Sequence, residues 1–510
     1  MKKIFVLDFG SQYSQLIARR LREMGIFTVI MPFSEWETAM QPDVGAVILS
    51  GGPSSVLEPN APMIPVKFFN IQKPILGICY GMQLMANLMH GTVTPSKSRE
   101  YGKTIVEPLA DDLFANGIPA SLKVWMSHGD IVRQPPQDFV VTAHSHNGLI
   151  AAMRHKTRPI FALQFHPEVS HTEYGNQILH NFAFDIAKMQ ADWSMEVFLQ
   201  QQQKDLIKQV NPDDQVLIAV SGGVDSSVAA ALLGRMLPGR VTGVFVDNGL
   251  LRKDEVEQVR TAFADFKGMK LNIIDASDQF LQELSGVTDP EAKRKIIGRV
   301  FFDVFKAFAK NHGPFRFLAQ GTLYPDVIES QSVRGPSHTI KSHHNVGGLP
   351  EELGFELLEP LRELFKDEVR DLGRRLGLPA TMVDRQPFPG PGLGVRVMGE
   401  ITRDKLRVVR EADAIFNEEL AKHSFYPQIW QSFAVLVPVR TVGVMGDART
   451  YEWVVALRAV QSVDAMTAEV FDIPINLLAD IARRIIGQVR GANRVVYDVS
   501  SKPPGTIEWE

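Results

Sequence analysis

The sequence predicts an α/β protein in which two units built on largely parallel sheets are followed by an α+β unit. Short apolar runs typical of strands alternate with amphipathic helical segments over residues 1–192 and again over 193–385. A segment rich in proline and glycine, QPFPGPGLGVRV, interrupts this alternation from Gln386. At ~150 residues per domain, the chain is long enough for about three domains. We therefore expect domain boundaries close to residues 192 and 385, with the third domain over 386–510.

The composition is that of an ordinary globular protein. Hydrophobic residues make up 45% of the chain and charged residues 22%, with a formal net charge of −4. This balance does not favour binding to nucleic acid or to an anionic membrane. No apolar run approaches the ~20 residues of a membrane span, and Asp8 interrupts the first apolar run too early for a signal peptide. Cys79 is the only cysteine, which excludes an intrachain disulfide and favours a cytoplasmic location.

The first unit begins with a strand, IFVLDFG, that leads into the helix SQLIARRLREMG. Further apolar runs predict a mixed sheet, and they are TVIMPF, AVILSGG, PILGICYG, TIVEP, KVWMS, VVTAHS, LIAAMR and IFALQF. An amphipathic segment, NQILHNFAFDIAKM, closes the unit as a helix. The glutamine run Gln200–Gln203 is flanked by apolar residues at helical spacing, so we expect a connecting helix there.

A thiol site is predicted at the turn between PIL and MQLMANLM. Cys79 lies there between small residues, which is the nucleophile-elbow pattern with cysteine in place of serine. His166 and Glu168 follow another apolar run two residues apart, as a base and an orienting carboxylate would. Taken alone, Cys79 would more often be a small buried hydrophobe and His166 a core histidine. Backbone N–H groups for an oxyanion could come from Gly51, Gly52 and Tyr80.

Three segments together, GGPSS, GICYGMQ and QFHPE, resemble class I glutamine amidotransferases. The resemblance implies that Cys79 is the nucleophile, His166 the general base and acid, and Glu168 its orienting partner. The segment Ser127–Asp130 is similar to the part of that family that recognises substrate, so Asp130 could hold the α-amino group of glutamine. Gln83 could line the same pocket.

The second unit opens with a loop suited to phosphate. The buried strand Val216–Val220 leads into SGGVDSS and then into a helix, so that backbone N–H groups and the helix N-terminus meet an anion. Asp225 would repel phosphate unless a cation such as Mg²⁺ lies between them. A plain Gly/Ser turn is the alternative. The loop resembles that of N-type ATP pyrophosphatases, which implies ATP contacts from Ser221, Gly222, Gly223, Val224, Asp225, Ser226 and Ser227.

Further strands, VTGVFVDNG, KLNIIDAS and FRFLAQGT, complete a doubly wound parallel sheet. Ligands lie beyond the carboxyl ends of such strands, so Val246 and Gly321 are expected to contact the nucleotide. Asp326 is either a second metal ligand or a hydroxyl partner, or it is only a helix cap. Lys366 is a candidate cation for the triphosphate, although charged residues on helices are usually only solvated. The paired histidines His343 and His344 suggest a metal site, but no carboxylate accompanies them at ligand spacing, which favours a phosphate-facing lid instead.

The third unit is predicted to contain a long helix from Ile401 to about Lys422, then SFAVLVPVRTVGV and YEWVVALRAV as strands, the helix INLLADIARRIIG and the strand RVVYDVS. Its terminal residues, KPPGTIEWE, complete a resemblance of the whole chain to the glutamine-hydrolysing GMP synthase family. That resemblance implies a homodimer formed through this unit. It also implies contacts to xanthosine monophosphate (XMP) from Arg294, Pro389, Gly390, Lys502, Ile507 and Glu508.

The implied reaction joins two chemistries. ATP with Mg²⁺ adenylylates XMP and releases pyrophosphate, and ammonia freed from glutamine at Cys79 then displaces AMP to give GMP. The alternatives are an adenylylating amidotransferase with another carbonyl acceptor and a catalytically silent nucleotide-binding regulator. Asparagine synthetase is disfavoured because its nucleophile is an N-terminal cysteine, and a tRNA sulfur-transfer enzyme because residues 80–510 contain no cysteine.

Overall fold

The computed structural model of the chain describes residues 1–109, 117–264, 266, 268–332, 354–445, 448–462 and 467–510. Their packing divides the chain into two compact units. The first contains Met1–Lys204 and the segment beginning at Tyr324, and the second contains Asp205–Leu323 and the segment that ends at Glu510. The three domains expected from the sequence stay a prediction.

Three β-sheets run through the described residues. The strands of the first sheet are β1 Lys3–Asp8, β2 Thr28–Pro32, β3 Val44–Leu49, β4 Ile75–Ile78, β5 Thr92–Pro108, β6 Leu122–Gln134, β7 Phe139–Ser145, β8 Ile150–His155 and β9 Ile160–Leu163. Those of the second are β10 Val216–Ala219, β11 Val241–Asp247, β12 Met269–Asp275, β13 Phe317–Ala319 and β14 Glu356–Leu358. Those of the third are β15 Gln431–Met445, β16 Ala448–Gln461, β17 Glu469–Val470 and β18 Ala492–Tyr497.

The α-helices lie mainly between these strands. In chain order they are α1 Ser14–Glu23, α2 Tyr80–Leu88, α3 Gly175–His180, α4 Met195–Gln209, α5 Val224–Met236, α6 Glu255–Ala264, α7 Ser277–Glu283, α8 Pro290–His312, α9 Tyr324–Ser332, α10 Lys366–Arg375, α11 Ala380–Val383, α12 Arg403–Leu420 and α13 Ile475–Gln488. The expected helix at Gln200–Gln203 is present as α4. The long helix expected from Ile401 is shorter, because the Thr402 hydroxyl accepts a hydrogen bond from the Lys405 N–H and caps it at Arg403.

The sheet of the first unit is mixed, as predicted. Its strand order is β2-β1-β3-β4-β9-β8-β7-β5-β6, in which β1 to β4 and β9 are parallel and the remaining strands pair antiparallel. The central strands are apolar and buried on both faces, as β4 illustrates with four buried residues. The carboxyl ends of β1, β3, β4 and β9 therefore meet at one edge of the sheet, and residues that follow them can share a site.

The second sheet is entirely parallel, with the order β12-β11-β10-β13-β14. The α/β fold class predicted from the sequence is confirmed. β11 and β12 lie on one side of β10 and β13 and β14 on the other, so the strand order reverses at β10. A crevice opens beyond the carboxyl end of β10 at such a point, and ligands bind there in doubly wound sheets. The loop after β10 is the predicted phosphate loop.

The third sheet shares a hydrophobic core with the second. β16 pairs antiparallel with β15 and β17 and parallel with β18. One cluster of buried side chains runs from Leu217 and Leu318 in the second sheet to Leu457 in the third sheet and Ile485 on α13. This continuous core explains why residues 205–323 and the C-terminal part of the chain form one compact unit. Within the described residues, none of the helices combines the length and apolarity needed to cross a membrane.

Candidate active sites

Cys79 lies at a sharp turn between β4 and α2. Its backbone has φ 52° and ψ −103°, a left-handed conformation that is strained for a residue with a side chain. Gly81 makes the turn possible, since a Cβ atom there would lie 2.4 Å from the Leu49 carbonyl oxygen. The strand and the helix N-terminus thus hold the thiol in the nucleophile-elbow geometry expected from the sequence.

The structure brings Cys79, His166 and Glu168 together. His166 Nδ1 is 2.7 Å from Glu168 Oε1, and the Cys79 sulphur is close enough to the imidazole to influence its pKa. Burial of the ring opposes its protonation, but the Glu168 carboxylate and the Cys79 sulphur together raise the pKa of His166 well above 6.5. A protonated imidazole at this position can give its proton to a leaving group as a general acid. The Cys79 thiol lies 3.6 Å from the carbonyl oxygen of Ser127.

The residues predicted to hold glutamine and its oxyanion lie around this triad. Gly51 adjoins the His166 ring, since a Cβ at Gly51 would be 3.0 Å from His166 Cε1. Tyr80 begins α2, so its backbone N–H is one of the groups that a helix N-terminus leaves without an intrahelical partner. Gln83 Nε2 donates to the Asp130 carbonyl oxygen at 2.9 Å. Gly52 packs under the Tyr80 ring, where a Cβ would meet a ring carbon at 3.3 Å.

The loop after β1 was missed by the sequence reasoning. Asp8 Oδ1 accepts hydrogen bonds from the N–H groups of Gly10 and Ser11 and from the Ser14 hydroxyl. This fixed loop places the Tyr13 ring edge-on against His166, with 5.0 Å between the ring centroids. The signal was present, because DFGSQYSQ follows a strand whose carboxyl end lies at the same edge as β4.

A second buried carboxylate–imidazole pair lies beside Asp130. His128 Nδ1 is 3.0 Å from the Asp130 carbonyl oxygen, and its Nε2 is 3.4 Å from Glu100 Oε2. Because a carbonyl oxygen only accepts, Nδ1 carries a proton. Burial lowers the pKa of His128, and the Glu100 carboxylate partly offsets this effect. The side chain of Asp130 in turn accepts a hydrogen bond from the Ser55 hydroxyl.

Hydrogen bonds between its own serines fix the conformation of the phosphate loop in the second unit. Gly222 has φ +74°, which glycine adopts without strain, and α5 begins at Val224. The Ser221 and Ser226 hydroxyls are 2.9 Å apart, and Ser226 Oγ also accepts from the Ser221 N–H at 3.0 Å. Ser227 is fully buried, and its hydroxyl has no hydrogen-bond partner among the described residues.

Two neighbouring segments support the loop. A Cβ at Gly321, which follows β13, would lie 3.0 Å from the backbone of Asp225, so this glycine allows the segment after β13 to approach the N-terminus of α5 closely. Arg385 donates to the Gly222 carbonyl oxygen at 3.1 Å and pairs with Glu255 at 2.6 Å. The sequence reasoning treated Arg385 only as a domain boundary. Val246, the predicted adenine contact, is buried near the end of β11.

A cation already lies against the Asp225 carboxylate. Lys366 Nζ is 2.6 Å from Oδ1 and 2.5 Å from Oδ2 of Asp225, and the two side chains are 47% and 32% exposed. No group of three or more histidine, cysteine or acidic residues among the described residues could hold a metal ion. A single carboxylate still suits Mg²⁺ that arrives with ATP, because the phosphates and waters supply its other ligands.

The residues predicted to contact XMP lie in three segments of the second unit. Arg294 is on α8, where it forms a 3.6 Å ion pair with Glu291 and remains 33% exposed. Pro389 and Gly390 belong to the turn before Gly392, whose N–H donates to the Pro389 carbonyl oxygen at 2.9 Å. Lys502 forms a β-bridge with Ala468 in the terminal segment.

The terminal segment is docked against the protein. Ile507 is 8% exposed and packs in an apolar cluster with Trp509. Glu508 accepts hydrogen bonds from Arg396 and Gln431. The Gln431 side chain also donates to the Pro387 carbonyl oxygen at 3.3 Å, so the turn at 386–390 and Glu508 are linked through one amide. The sequence reasoning missed Arg396 and Gln431, because nothing local connects them to Glu508.

Asp326, His343 and His344 were also candidates from the sequence. Asp326 lies in the first turn of α9, which allows its expected role as a helix-terminal acid and does not test the metal role. His343 and His344 lie outside the described residues.

Comparison with known proteins agrees with this arrangement. A family model described as glutamine amidotransferase class-I matches residues 5–186, and one described as GMP synthase C terminal domain matches residues 418–509. A protein of Fusobacterium nucleatum named GMP synthase (glutamine-hydrolyzing) is 52% identical over 100% of both chains. Proteins of the same name from Carboxydothermus hydrogenoformans and Nitratiruptor are 52% and 53% identical. The alignments cover 100% and 99% of this chain and 99% of each relative.

Proposed function

Since the chain belongs to the family of glutamine-hydrolysing GMP synthases, it is an ATP-dependent ligase for glutamine-dependent GMP synthesis, and we propose which residues perform each step. The glutamine half-reaction is assigned to the first unit and the ATP half-reaction to the second. The observation that supports this assignment most strongly is the assembled set of Cys79, His166 and Glu168, in a chain that also carries the phosphate loop.

In the first half-reaction, the Cys79 thiolate attacks the side-chain amide carbon of glutamine. The oxyanion that forms accepts from backbone N–H groups near Gly52 and Tyr80. His166 gives its proton to the departing nitrogen, so ammonia leaves and a thioester remains, and Glu168 holds the imidazole in the required orientation. Water, deprotonated by His166, then hydrolyses the thioester to glutamate and frees the thiolate.

The glutamine α-amino group is assigned to Asp130. The Asp130 side chain accepts a hydrogen bond from the Ser55 hydroxyl, and the Asp130 carbonyl oxygen is fixed by Gln83 and His128. These contacts hold the carboxylate in place before substrate arrives, which lowers the entropic cost of binding.

In the second half-reaction, the 2-oxygen of XMP attacks the α-phosphorus of ATP and pyrophosphate leaves. We assign the pyrophosphate to Ser221–Ser227 and Lys366, where loop N–H groups, hydroxyls and the N-terminus of α5 converge. Asp225 would hold Mg²⁺, which supplies charge neutralisation for the phosphates. Lys366, now on Asp225, would then be free to contact a phosphate oxygen. Ammonia attacks carbon 2 of the adenylylated XMP, AMP leaves, and GMP forms.

XMP itself is assigned to Arg294, Pro389, Gly390, Lys502, Ile507 and Glu508. The two cations suit its phosphate, and Glu508 can accept a hydrogen bond from a base N–H. The link between Glu508 and the turn at 386–390 through Gln431 supports a common site for that turn and the terminal segment. The cytoplasm is the proposed location, where a reducing environment keeps Cys79 as a thiol.

The acceptor can be tested by following pyrophosphate release from MgATP with XMP and with other carbonyl acceptors. We expect pyrophosphate to appear with XMP and not with inosine monophosphate, which lacks the 2-oxygen, or with aspartate. Release that does not depend on XMP would contradict the proposed acceptor. Absence of release with every acceptor would favour a nucleotide-binding regulator.

We also propose that the third sheet forms a homodimer. Val455 and Leu457 are buried on one face of the β15–β16 pair, and the register places exposed apolar side chains further along the same face. Opposite each other in register there, Val442 and Tyr451 are 52% and 55% exposed, and Val444 beyond them is 74% exposed. An exposed apolar stripe of this kind is typical of an interface, and a second copy would bury it.

Replacing Val442 by Asp should therefore weaken association. A charge in the centre of an apolar interface is costly to bury, so we expect the mass in solution to shift from dimer to monomer. Sedimentation velocity over a range of concentrations measures this. The control is Ile475→Asp. Ile475 is 75% exposed and lies at the start of α13, outside β15 and β16, so this variant should remain dimeric. A monomeric wild-type chain, or a dimer that tolerates Val442→Asp, would contradict the proposal.

A further inference from the structure

Arg396 is a fully buried cation near the proposed XMP site. Its side chain is 0% exposed, and its guanidinium lies 4.3 Å from the ring centroid of Phe433 and 5.1 Å from that of Phe388. The Asp413 carboxylate lies 3.5 Å from Nη1 and also accepts from the Ala434 N–H, which fixes its own position. Two aromatic rings and one carboxylate thus define where this guanidinium points.

The remaining edge of the guanidinium faces Glu508. Arg396 Nε donates to Glu508 Oε2 at 3.2 Å and Nη2 donates to Oε1 at 2.9 Å, a bidentate pair. Gln431 Nε2 donates to Oε1 at 2.8 Å. A carboxylate offers about four lone-pair sites. Three are therefore filled, and one is left on Oε2 of a side chain that is 20% exposed.

We propose that Arg396 is a positioning residue that turns Glu508 into a selective acceptor for a single N–H of the purine base. This inference rests on the assignment of Glu508 to XMP made above. With two donors on one oxygen and one donor on the other, the carboxylate cannot rotate to accept a different pattern of donors. Discrimination between bases then follows from the rigid pair, because a base without that N–H leaves the last acceptor site unfilled.

The same segment contains a second buried ion pair that provides a matched control. Lys293, whose side chain is 0% exposed, pairs with Glu510 and donates to the Val397 carbonyl oxygen at 2.8 Å. Glu510 also accepts from the Gly399 N–H at 2.9 Å. This pair tethers the terminal segment two residues beyond Glu508 but does not touch the Glu508 carboxylate in any contact described. A variant at Glu510 therefore reports tethering alone.

The test compares XMP with its N1-methyl and N3-methyl analogues as acceptors, with ammonia as the nitrogen source. We expect the wild-type chain to reject one analogue by about 10²-fold or more in kcat/KM, since a buried polar group is left unpaired. Arg396→Lys keeps the charge but loses the bidentate geometry. It should reduce kcat/KM for XMP about tenfold, mainly through KM. It should also lower the ratio of kcat/KM for XMP to kcat/KM for the rejected analogue at least about tenfold.

The control variant Glu510→Gln should change kcat/KM for XMP and for the analogue by the same factor, which leaves the ratio as in wild type. Phe433→Leu removes a ring beside the guanidinium and keeps its charge, so it should lower the ratio in the same direction if Arg396→Lys does not fold. A wild-type ratio in a folded Arg396→Lys or Phe433→Leu chain would overturn the inference and leave the Glu508 assignment intact. A wild-type enzyme that accepts both methylated analogues as well as XMP would refute the Glu508 assignment itself.

Discussion

Replacing Cys79 by Ala should abolish GMP synthesis from glutamine while synthesis from added ammonia continues. The variant has no nucleophile for the amide carbon, and loss of an activated nucleophile lowers turnover by at least about 10³-fold. Ammonia supplied in solution bypasses this step. The measurement is the rate of GMP formation with each nitrogen source, at saturating ATP and XMP. Cys79 is 4% exposed. Alanine is smaller than cysteine, so the substitution should not overpack this buried position.

A control for general damage is available at the same turn. Met82→Leu, on the buried side of α2, conserves volume in the core and should leave both rates close to wild type. If Cys79→Ala reduced the ammonia-dependent and glutamine-dependent rates equally, the division of labour between the two units would be wrong. Retention of glutamine-dependent synthesis would exclude Cys79 as the nucleophile.

Replacing Asp225 by Asn should impair the use of MgATP with either nitrogen source. The amide keeps the shape of the side chain but removes the negative charge that pairs with Lys366 and that would hold Mg²⁺. We expect kcat/KM for ATP to fall about 10²-fold or more, and the Mg²⁺ concentration for half-maximal rate to rise. Pyrophosphate release titrated with Mg²⁺ measures both. Glutamine hydrolysis at Cys79 should persist.

The matched control for Asp225→Asn is Asp371→Asn. Asp371 is a surface carboxylate on α10 that pairs with Arg375 at 2.8 Å and is 46% exposed. Its loss should change neither the ATP kinetics nor the Mg²⁺ requirement, since exposed ion pairs contribute little. Unchanged ATP kinetics in Asp225→Asn would count against the metal role, and an equal defect in Asp371→Asn would mean that the effect is not local.

The parts of this protein that the sequence predicts best are those whose residues are neighbours in the chain. Cys79, the pair His166 and Glu168, and Ser221–Ser227 each lie within a few residues of the end of a strand. Strand ends and turn chemistry therefore indicate them without tertiary information. The α/β fold class follows in the same way from the alternation of apolar runs, and it is confirmed. The function implied by the resemblance is confirmed as well.

Other parts depend on contacts between distant residues, which a single sequence does not show. Arg396 and Glu508 are 112 residues apart in the chain, and Glu100 reaches His128 only because the two residues are paired across β5 and β6. Arg385 resembles a linker residue until its contact with the Gly222 carbonyl oxygen is seen. The loop at Asp8 differs from these, because the rule that ligands gather beyond strand ends would have indicated it.

The continuous core that joins the second and third sheets limits how this protein can be divided. A chain cut near residue 385 would expose to water the side chains around Leu217, Leu318, Leu457 and Ile485 that now pack in a single cluster. Neither fragment would keep a complete interior, so the two sheets should gain and lose their structure together. Grafting the C-terminal sheet onto an unrelated protein would require a new apolar surface for it to pack against. Single substitutions at its exposed edges would leave the shared core unchanged.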